Sequence, residues 1–447
     1  MHRPEDEPTP TIRSRRHLRT TAITIALGVV MFTVGAIGLS PSGSSTPDAA
    51  SSDSRSAGPA RGIEALRERV KRLPKDPVSW ADLGMALVQQ ARTTADQATY
   101  TQAETALRRS LALEPVENLH AEIGMGALAA ARHQFRDSLA WARKAVATSP
   151  ATPAAYGVLA DAHTQLGQYK EAEDAVQKMA DLHPDSSSLA RASYTFELRG
   201  DTSQAKTVME RALRAAGTPG ERAFAHTHLS SLALEGGDPA AALRQAQAGL
   251  AIAPRDAGLL EARAKAHAAA RDLELAVADY TAAIATAPLP QYLLGLGELQ
   301  QSLGHQDRAD AQYAVLRAQE ALRRATGTPA DADAIYFQAD HGDPRQAVTM
   351  AEEAVQERPF LAIHDAYAWA LHRAGRDTEA LDQADQALAL GTRSALFLFH
   401  RGAIHQALGN TTAARRDLSQ ALALDPSFHP LHAPEARDAL RRIDDTP

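Results

Sequence analysis

The chain has 447 residues and a formal net charge of −7, with 44% hydrophobic but only 5% aromatic residues. It has no cysteine, which excludes disulfide bridges, cysteine nucleophiles and a lipid-modified cysteine. Acidic and basic residues alternate along the chain, as in Arg67, Glu68 and Arg69, whereas duplex-binding domains typically show a basic stripe. The composition therefore does not favour binding to nucleic acid.

The first 61 residues divide into three segments. Residues 1–19 form a short basic tail with four arginines between positions 13 and 19. Thr20 to Leu39 carries no charge, and as a helix it is about 30 Å long, which is enough to span a bilayer. Residues 40–61 are rich in Ser, Pro, Gly and Ala, which predicts a flexible linker.

The arginines before the apolar segment predict its orientation. Since positive residues stay on the cytoplasmic side, we expect the N-terminus to be cytoplasmic and the rest of the chain to lie outside the cell membrane. The alternative is a signal peptide that is cleaved near residues 48–50, which would make the protein secreted.

Beyond the linker, the sequence repeats with a period of about 34 residues. Six glycines each stand five residues before a small residue: Gly167 with Ala172, Gly200 with Ala205, Gly237 with Ala242, Gly304 with Ala309, Gly375 with Ala380, and Gly409 with Ala414. Apolar residues around them recur at spacings of three and four, which predicts pairs of amphipathic helices. The glycine permits the positive φ that ends the first helix of a pair.

Together these residues resemble the tetratricopeptide repeat family, with ten copies between Asp76 and Pro426. The resemblance implies an all-α fold, a right-handed superhelical solenoid of about ten helix-turn-helix repeats, preceded here by one transmembrane helix. Residues 62–426 would form the solenoid, including an amphipathic cap helix that ends before Pro74. Residues 427–447 contain a second amphipathic helix, which we expect to cap the other end.

The resemblance also places the first helix of each pair on a concave groove that binds partner proteins or peptides. Carried onto this chain, it assigns to the groove Tyr194, Phe224, Leu294, Tyr336, Trp369, His372, Arg373 and Phe399. Aromatic residues and arginine are common anchors of protein interfaces.

The sequence contains no motif that indicates an enzyme. It lacks an HExxH metal helix, a P-loop and a GxSxG nucleophile elbow. We therefore predict no catalytic residues and no cofactor.

The 17 histidines leave a binding alternative open. His163, His267 and His405 occupy the same repeat position, which is normally a packing site in this family. The main hypothesis is a non-catalytic scaffold that is tethered to the membrane and binds proteins or peptides of unknown identity. The alternative is a secreted or anchored protein that binds a metal or small ligand through its histidine-bearing helices.

Overall fold

The computed structural model describes residues 59–94, 96–325 and 328–445. Within these ranges the chain forms 22 α-helices and no β-strand. The predicted basic tail (1–19), membrane helix (20–39) and residues 40–58 of the linker lie outside the described residues. Within the described residues, no helix has the length and apolar character needed to cross a bilayer.

Twenty of the helices form ten antiparallel pairs, as the period predicts. The first helices of the pairs are α2 (Pro77–Thr94), α4 (Leu119–Ala131), α6 (Pro153–Gln165), α8 (Ser186–Leu198), α10 (Pro219–Glu235), α12 (Ala257–Ala269), α14 (Pro290–Ser302), α16 (Ala332–His341), α18 (Leu361–Arg373) and α20 (Ala395–Ala407). The second helices are α3 (Gln97–Leu113), α5 (Phe135–Thr148), α7 (Tyr169–Leu182), α9 (Thr202–Ala215), α11 (Pro239–Ile252), α13 (Leu273–Thr286), α15 (Gln306–Ala325), α17 (Pro344–Glu357), α19 (Asp377–Ala387) and α21 (Thr411–Leu424). One further helix, α1 (Pro59–Arg72), packs on α2, and another, α22 (His432–Asp444), packs on α21.

The turn between the two helices of a pair has the predicted conformation. All six repeat glycines have φ between +68° and +76°. The alanine five residues after each of them is buried where the paired helices cross. His133 and Arg271 occupy the same turn position with φ of 59° and 70°, so the turn geometry is kept even where the residue is not glycine.

The run Arg317, Ala318, Glu320, Ala321 and Leu322 predicts an overlong second helix in the seventh pair, and the structure has one. α15 is 20 residues long, whereas α13 and α17 on either side have 14. Buried apolar side chains form several clusters along the array, and most of these clusters include helices from neighbouring pairs.

The array curves so strongly that repeats about 190 residues apart touch. A side chain at Gly167 would stand 2.6 Å from the carbonyl oxygen of Pro359, and one at Gly237 would stand 2.9 Å from that of Leu424. A side chain at Gly200, between them, would meet the carbonyl oxygen of Gly391. The loops that connect the two helices of the third, fourth and fifth pairs therefore contact three later repeats. These repeats lie one turn of the superhelix further along the chain.

Hydrogen bonds also connect these repeats, which lie one turn of the superhelix apart. The backbone N–H of Leu361 donates to the hydroxyl of Tyr169 at 2.9 Å. The hydroxyl of Thr392 donates to the carbonyl oxygen of Leu198 at 2.5 Å. Leu198 is buried within the apolar cluster of the last repeats, so this contact joins apolar cores as well as polar groups.

Alanine substitutions at two glycines can distinguish two contributions to the loss of stability. One comes from the contact between superhelical turns, and the other from backbone strain. Gly200 and Gly409 have φ of +74° and +76°, but nothing lies within 4 Å of a side chain at Gly409. We expect Gly409→Ala to cost about 1 kcal/mol for the left-handed backbone, and Gly200→Ala to cost about 2–3 kcal/mol because it also meets a carbonyl group. Urea unfolding of the two variants measures the difference. Equal losses of stability would contradict the contact between turns.

Candidate functional site

The first helices of the pairs share one interior. Charged side chains on α2, α6, α8, α10, α12 and α16 interact electrostatically although many of these helices are not neighbours in sequence. Lys265 on α12, for example, influences both Glu235 on α10 and Asp333 on α16. We call this face, which is formed by the first helices, the inner surface.

Part of the inner surface is electrostatically balanced. Arg191 is only 3% exposed and donates two hydrogen bonds to Asp161, at 2.9 and 2.7 Å. The ammonium group of Lys265 lies 2.8 Å from Glu261. Such charge-assisted pairs offset the cost of removing the charges from water.

Three other carboxylates on the inner surface have no such partner. Glu197, Glu235 and Asp333 are partly exposed, and the side chain of none of them forms a hydrogen bond or ion pair with another described residue. Burial raises the pKa of Glu197 well above its usual range, and the carboxylate of Glu235 raises it further. Burial likewise raises the pKa of Glu235 to about 7 and that of Asp333 to about 8. Ionising these groups is therefore unfavourable in the free protein.

Near the end of the array, aromatic rings and histidines fill the inner surface. The imidazole Nδ1 of His400 lies 2.7 Å from Asp365, whose carboxylate also accepts from the hydroxyl of Tyr336 at 2.6 Å. The indole of Trp369 stacks on His400 with ring centroids 4.2 Å apart and donates to Asp340 at 3.0 Å. Burial lowers the pKa of His400, although Asp365 opposes this effect.

The chain's own C-terminal segment, which we define as residues 425–435, lies against these rings. The Nε2 atom of His429 is 3.0 Å from Glu298 on α14, and that of His432 is 3.5 Å from Asp340 on α16. The His432 ring also stacks on Phe399 of α20, 4.9 Å between centroids, and meets Trp369 of α18 edge-on at 5.2 Å. The segment thus crosses the first helices of the last four repeats.

The structure places the sequence-predicted groove residues in buried and in partly buried positions. Leu294, Trp369 and Phe399 are buried, at 7%, 2% and 3% exposure. Tyr194, Phe224 and Tyr336 are partly buried; Tyr194 packs on the apolar cluster of the last repeats, and Phe224 lies 4.2 Å from the ring of His228. Binding of a partner by these residues stays a prediction.

His372 and Arg373 stand beside Trp369 at the end of α18. The Nδ1 atom of His372 lies 2.6 Å from Asp377, five residues later across the turn. His163 pairs with Gln168 over the same spacing, at 2.6 Å. His372 therefore braces its turn, whereas Arg373 is exposed and lies over the Trp369 ring, 5.8 Å from its centroid.

The unpaired carboxylates and the histidines of the C-terminal segment were not predicted from the sequence. Glu197, Glu235 and Asp333 lie on first helices, but so do paired acids such as Asp161, and the sequence does not distinguish the two kinds. No sequence signal places His429 beside Glu298, 131 residues away.

The histidines also bear on metal binding. Within residues 59–94, 96–325 and 328–445, no group of three His, Asp or Glu side chains is arranged to hold a metal ion. The clustered imidazoles are bonded to carboxylates instead.

Comparisons with known proteins agree with the helix pairing. Tetratricopeptide repeat models match residues 123–193, 338–395 and 395–428. No relative is found among the curated proteins.

Several solved structures are similar to the chain. A thermophilic tetratricopeptide repeat protein of Thermus thermophilus is 22% identical, over 42% of this chain and 98% of its own, with a TM-score of 0.38. Yeast Tom70 is 12% identical, over 87% of this chain and 94% of its own, with a TM-score of 0.38. The human IFIT1 dimer with PPP-AAAA is 15% identical, over 82% of this chain and 87% of its own, with a TM-score of 0.45.

At these values the solved structures indicate no partner for this chain. Residues 123–193 and 338–428, which the family models match, form helix pairs in the structure, as tetratricopeptide repeats do.

Proposed function

We propose that the chain is a non-catalytic scaffold that binds an extended, positively charged segment of a partner protein on its inner surface. Tetratricopeptide repeats generally mediate protein–protein interactions. The observation that carries the proposal is the set of unpaired carboxylates, Glu197, Glu235 and Asp333, on three first helices.

The chemistry of these carboxylates favours a cationic ligand. Their raised pKa values mean that ionising them costs free energy in the free protein. A lysine or arginine from a partner supplies the missing counter-charge, so binding stabilises the ionised form and lowers the pKa. Since the pKa of Glu235 is about 7, binding near neutral pH releases protons and weakens as the pH falls below 7.

A labelled peptide of alternating lysine and glycine tests the charge preference. We expect the full-length chain to bind it, and its glutamate counterpart not to bind, in fluorescence anisotropy at moderate ionic strength. Combining Glu197→Gln, Glu235→Gln and Asp333→Asn should weaken binding about tenfold or more, because three charge pairs in a partly enclosed site are lost.

A matched control separates the inner surface from the overall negative charge. Asp137 on α5, Glu274 on α13 and Glu353 on α17 are exposed acids on second helices. Combining Asp137→Asn, Glu274→Gln and Glu353→Gln removes the same number of acids and should leave the affinity within about twofold, since exposed and distant charges are screened. An equal loss in both sets of variants would show that the peptide responds only to net charge, and would reject the inner surface as the binding site.

We also propose that residues 20–39 tether the scaffold to the cell membrane, with the repeats on the outer side. The uncharged length of this segment and the arginines before it support the proposal.

Membrane fractionation tests this tether. We expect the chain to stay in the membrane fraction after alkaline extraction, with an intact N-terminus by mass spectrometry. Replacing Val29 and Val30 with arginine should release it, because two charges near the bilayer centre are costly. A mature chain that begins near residue 50 would instead support secretion after cleavage.

A further inference from the structure

We propose that the C-terminal segment is a built-in occupant of the inner surface, which can leave without unfolding the repeats and must leave before a partner reaches Trp369 and Phe399. This inference deepens the proposed function by naming its regulation. It rests on the contacts of residues 425–435, and its first experiment needs no partner.

The polar contacts of His429 define its protonation. Its Nδ1 atom accepts hydrogen bonds from the backbone N–H groups of Leu431 and His432, both at 3.2 Å. The proton of the neutral ring must then be on Nε2, which donates to Glu298 at 3.0 Å. His341 approaches the other oxygen of the same carboxylate at 3.2 Å. Glu298 is thus satisfied partly by its own helix array and partly by the segment.

His432 supplies the second point of attachment. It lies between Asp340, at 3.5 Å, and Glu435, at 3.0 Å, and its ring stacks on Phe399. The ring takes the position that a cationic side chain of a partner would take, between a carboxylate and aromatic faces. The segment therefore resembles a bound ligand in its chemistry.

The attachment combines the polar contacts of His429 and His432 with one aromatic contact, between Phe428 and Phe399, whose ring centroids are 5.6 Å apart. Prolines at positions 426 and 430 keep residues 425–431 out of a helix, and the last four residues of the segment form the first turn of α22. This last helix of the array packs mainly on α21. In a solenoid, terminal elements have neighbours on one side only, so they can detach at a lower free energy than internal repeats.

Release would expose a surface that fits the same class of partner as the unpaired carboxylates. Asp340 would lose His432, and Glu298 would lose His429 while keeping His341. Trp369 and Phe399 would become more accessible. Glu298 already influences the pKa of Asp333, so the uncovered carboxylates continue the acidic part of the inner surface. A basic segment with an aromatic or cationic anchor would then compete with His432.

Single cysteines measure the opening, because the chain has none of its own. Ala433, within the segment and in the first turn of α22, is 1% exposed, and Ala212, inside α9, is 0% exposed. At fixed pH, we expect Ala433→Cys to react with a thiol reagent at least about tenfold faster than Ala212→Cys. Glu298→Gln should accelerate the first thiol about tenfold further and leave the second unchanged. The proposal would be overturned if both thiols reacted at equal rates, or if Glu298→Gln accelerated both reactions equally. Either result would show that the segment opens only when the repeats unfold.

A second variant controls for the loss of any buried charge or imidazole. His267 is a buried imidazole, at 8% exposure. It lies near Asp272 and Asp279, away from the C-terminal segment. His267→Gln should not change the Ala433→Cys rate, whereas His429→Gln should raise it. Adding the lysine–glycine peptide should also raise this rate if the peptide displaces the segment. If the peptide binds but the rate does not change, displacement is rejected while the peptide site stands.

The opening should also depend on pH through His432. Burial alone would lower its pKa, but the hydrogen bonds with Asp340 and Glu435 raise it to about 9. A raised folded-state pKa stabilises the closed form fully below about pH 6.5, the value for a free imidazole, and this contribution is lost as the pH rises through about 9. The other titratable groups around His432 are His429 on the segment, His400 on α20, and Arg373 on α18 through Asp340.

The ratio of the two thiol reaction rates reports this dependence, since the intrinsic reactivity of the opened thiol cancels. We expect the ratio of Ala433→Cys to Ala212→Cys to rise between pH 6.5 and 9, and His432→Gln to flatten the rise. A flat ratio in the parent protein, or the same rise with His432→Gln, would exclude His432 as the source.

Discussion

The contact between repeats one superhelical turn apart is the constraint on which the inner surface depends. In an open solenoid each repeat touches only its neighbours, and the concave face remains in contact with bulk water. Here the turns at Gly167, Gly200 and Gly237 press on carbonyl groups far along the chain. The first helices therefore face one another across an enclosed interior, and side chains from distant repeats come within electrostatic range.

Enclosure of the inner surface helps to explain why the pKa of a carboxylate is raised at some positions and lowered at others. Exposed acids on second helices, such as Glu379, pair with a neighbouring arginine, which lowers their pKa. Burial raises the pKa of Glu235 on a first helix to about 7, although Lys265 opposes this shift and Asp425 at the end of α21 adds to it. Glu298 is also on a first helix, but its pKa is lowered because His429 and His341 outweigh its burial. A buried carboxylate is thus costly to ionise where it lacks a hydrogen-bonded partner.

The sequence predicted the helix pairs well because each pair follows from local patterns. The turn glycines, the buried alanines after them and the long helix α15 can all be located from periodicity. The closure of the superhelix could not be predicted, since Gly200 and Gly409 have the same residue type and nearly the same φ, yet only Gly200 meets a distant carbonyl group. Curvature accumulates from small rotations between repeats, and no single residue encodes it.

The candidate site was predicted only in part, for a related reason. The repeat register correctly placed Trp369 and Phe399 on first helices, but it carries no information about what covers them. The residues that cover them belong to the C-terminal segment, outside the repeats. Prolines interrupt the helical periodicity there, and this periodicity is what allowed the repeats to be predicted.

The two halves of the inner surface differ in how their carboxylates are satisfied. Glu298, Asp340 and Asp365 are bonded to imidazoles, whereas Glu197, Glu235 and Asp333 have no such partner. An apolar segment covering the same rings would bury more hydrophobic area, but it would leave Asp340 and Glu298 with fewer partners, at the cost of desolvated charge. Imidazoles resolve this conflict because their flat rings stack on Phe399 and Trp369 while their nitrogens face carboxylates. A lysine or arginine of a partner would offer the same carboxylates a positive charge that persists above about pH 9, where His432 loses its own.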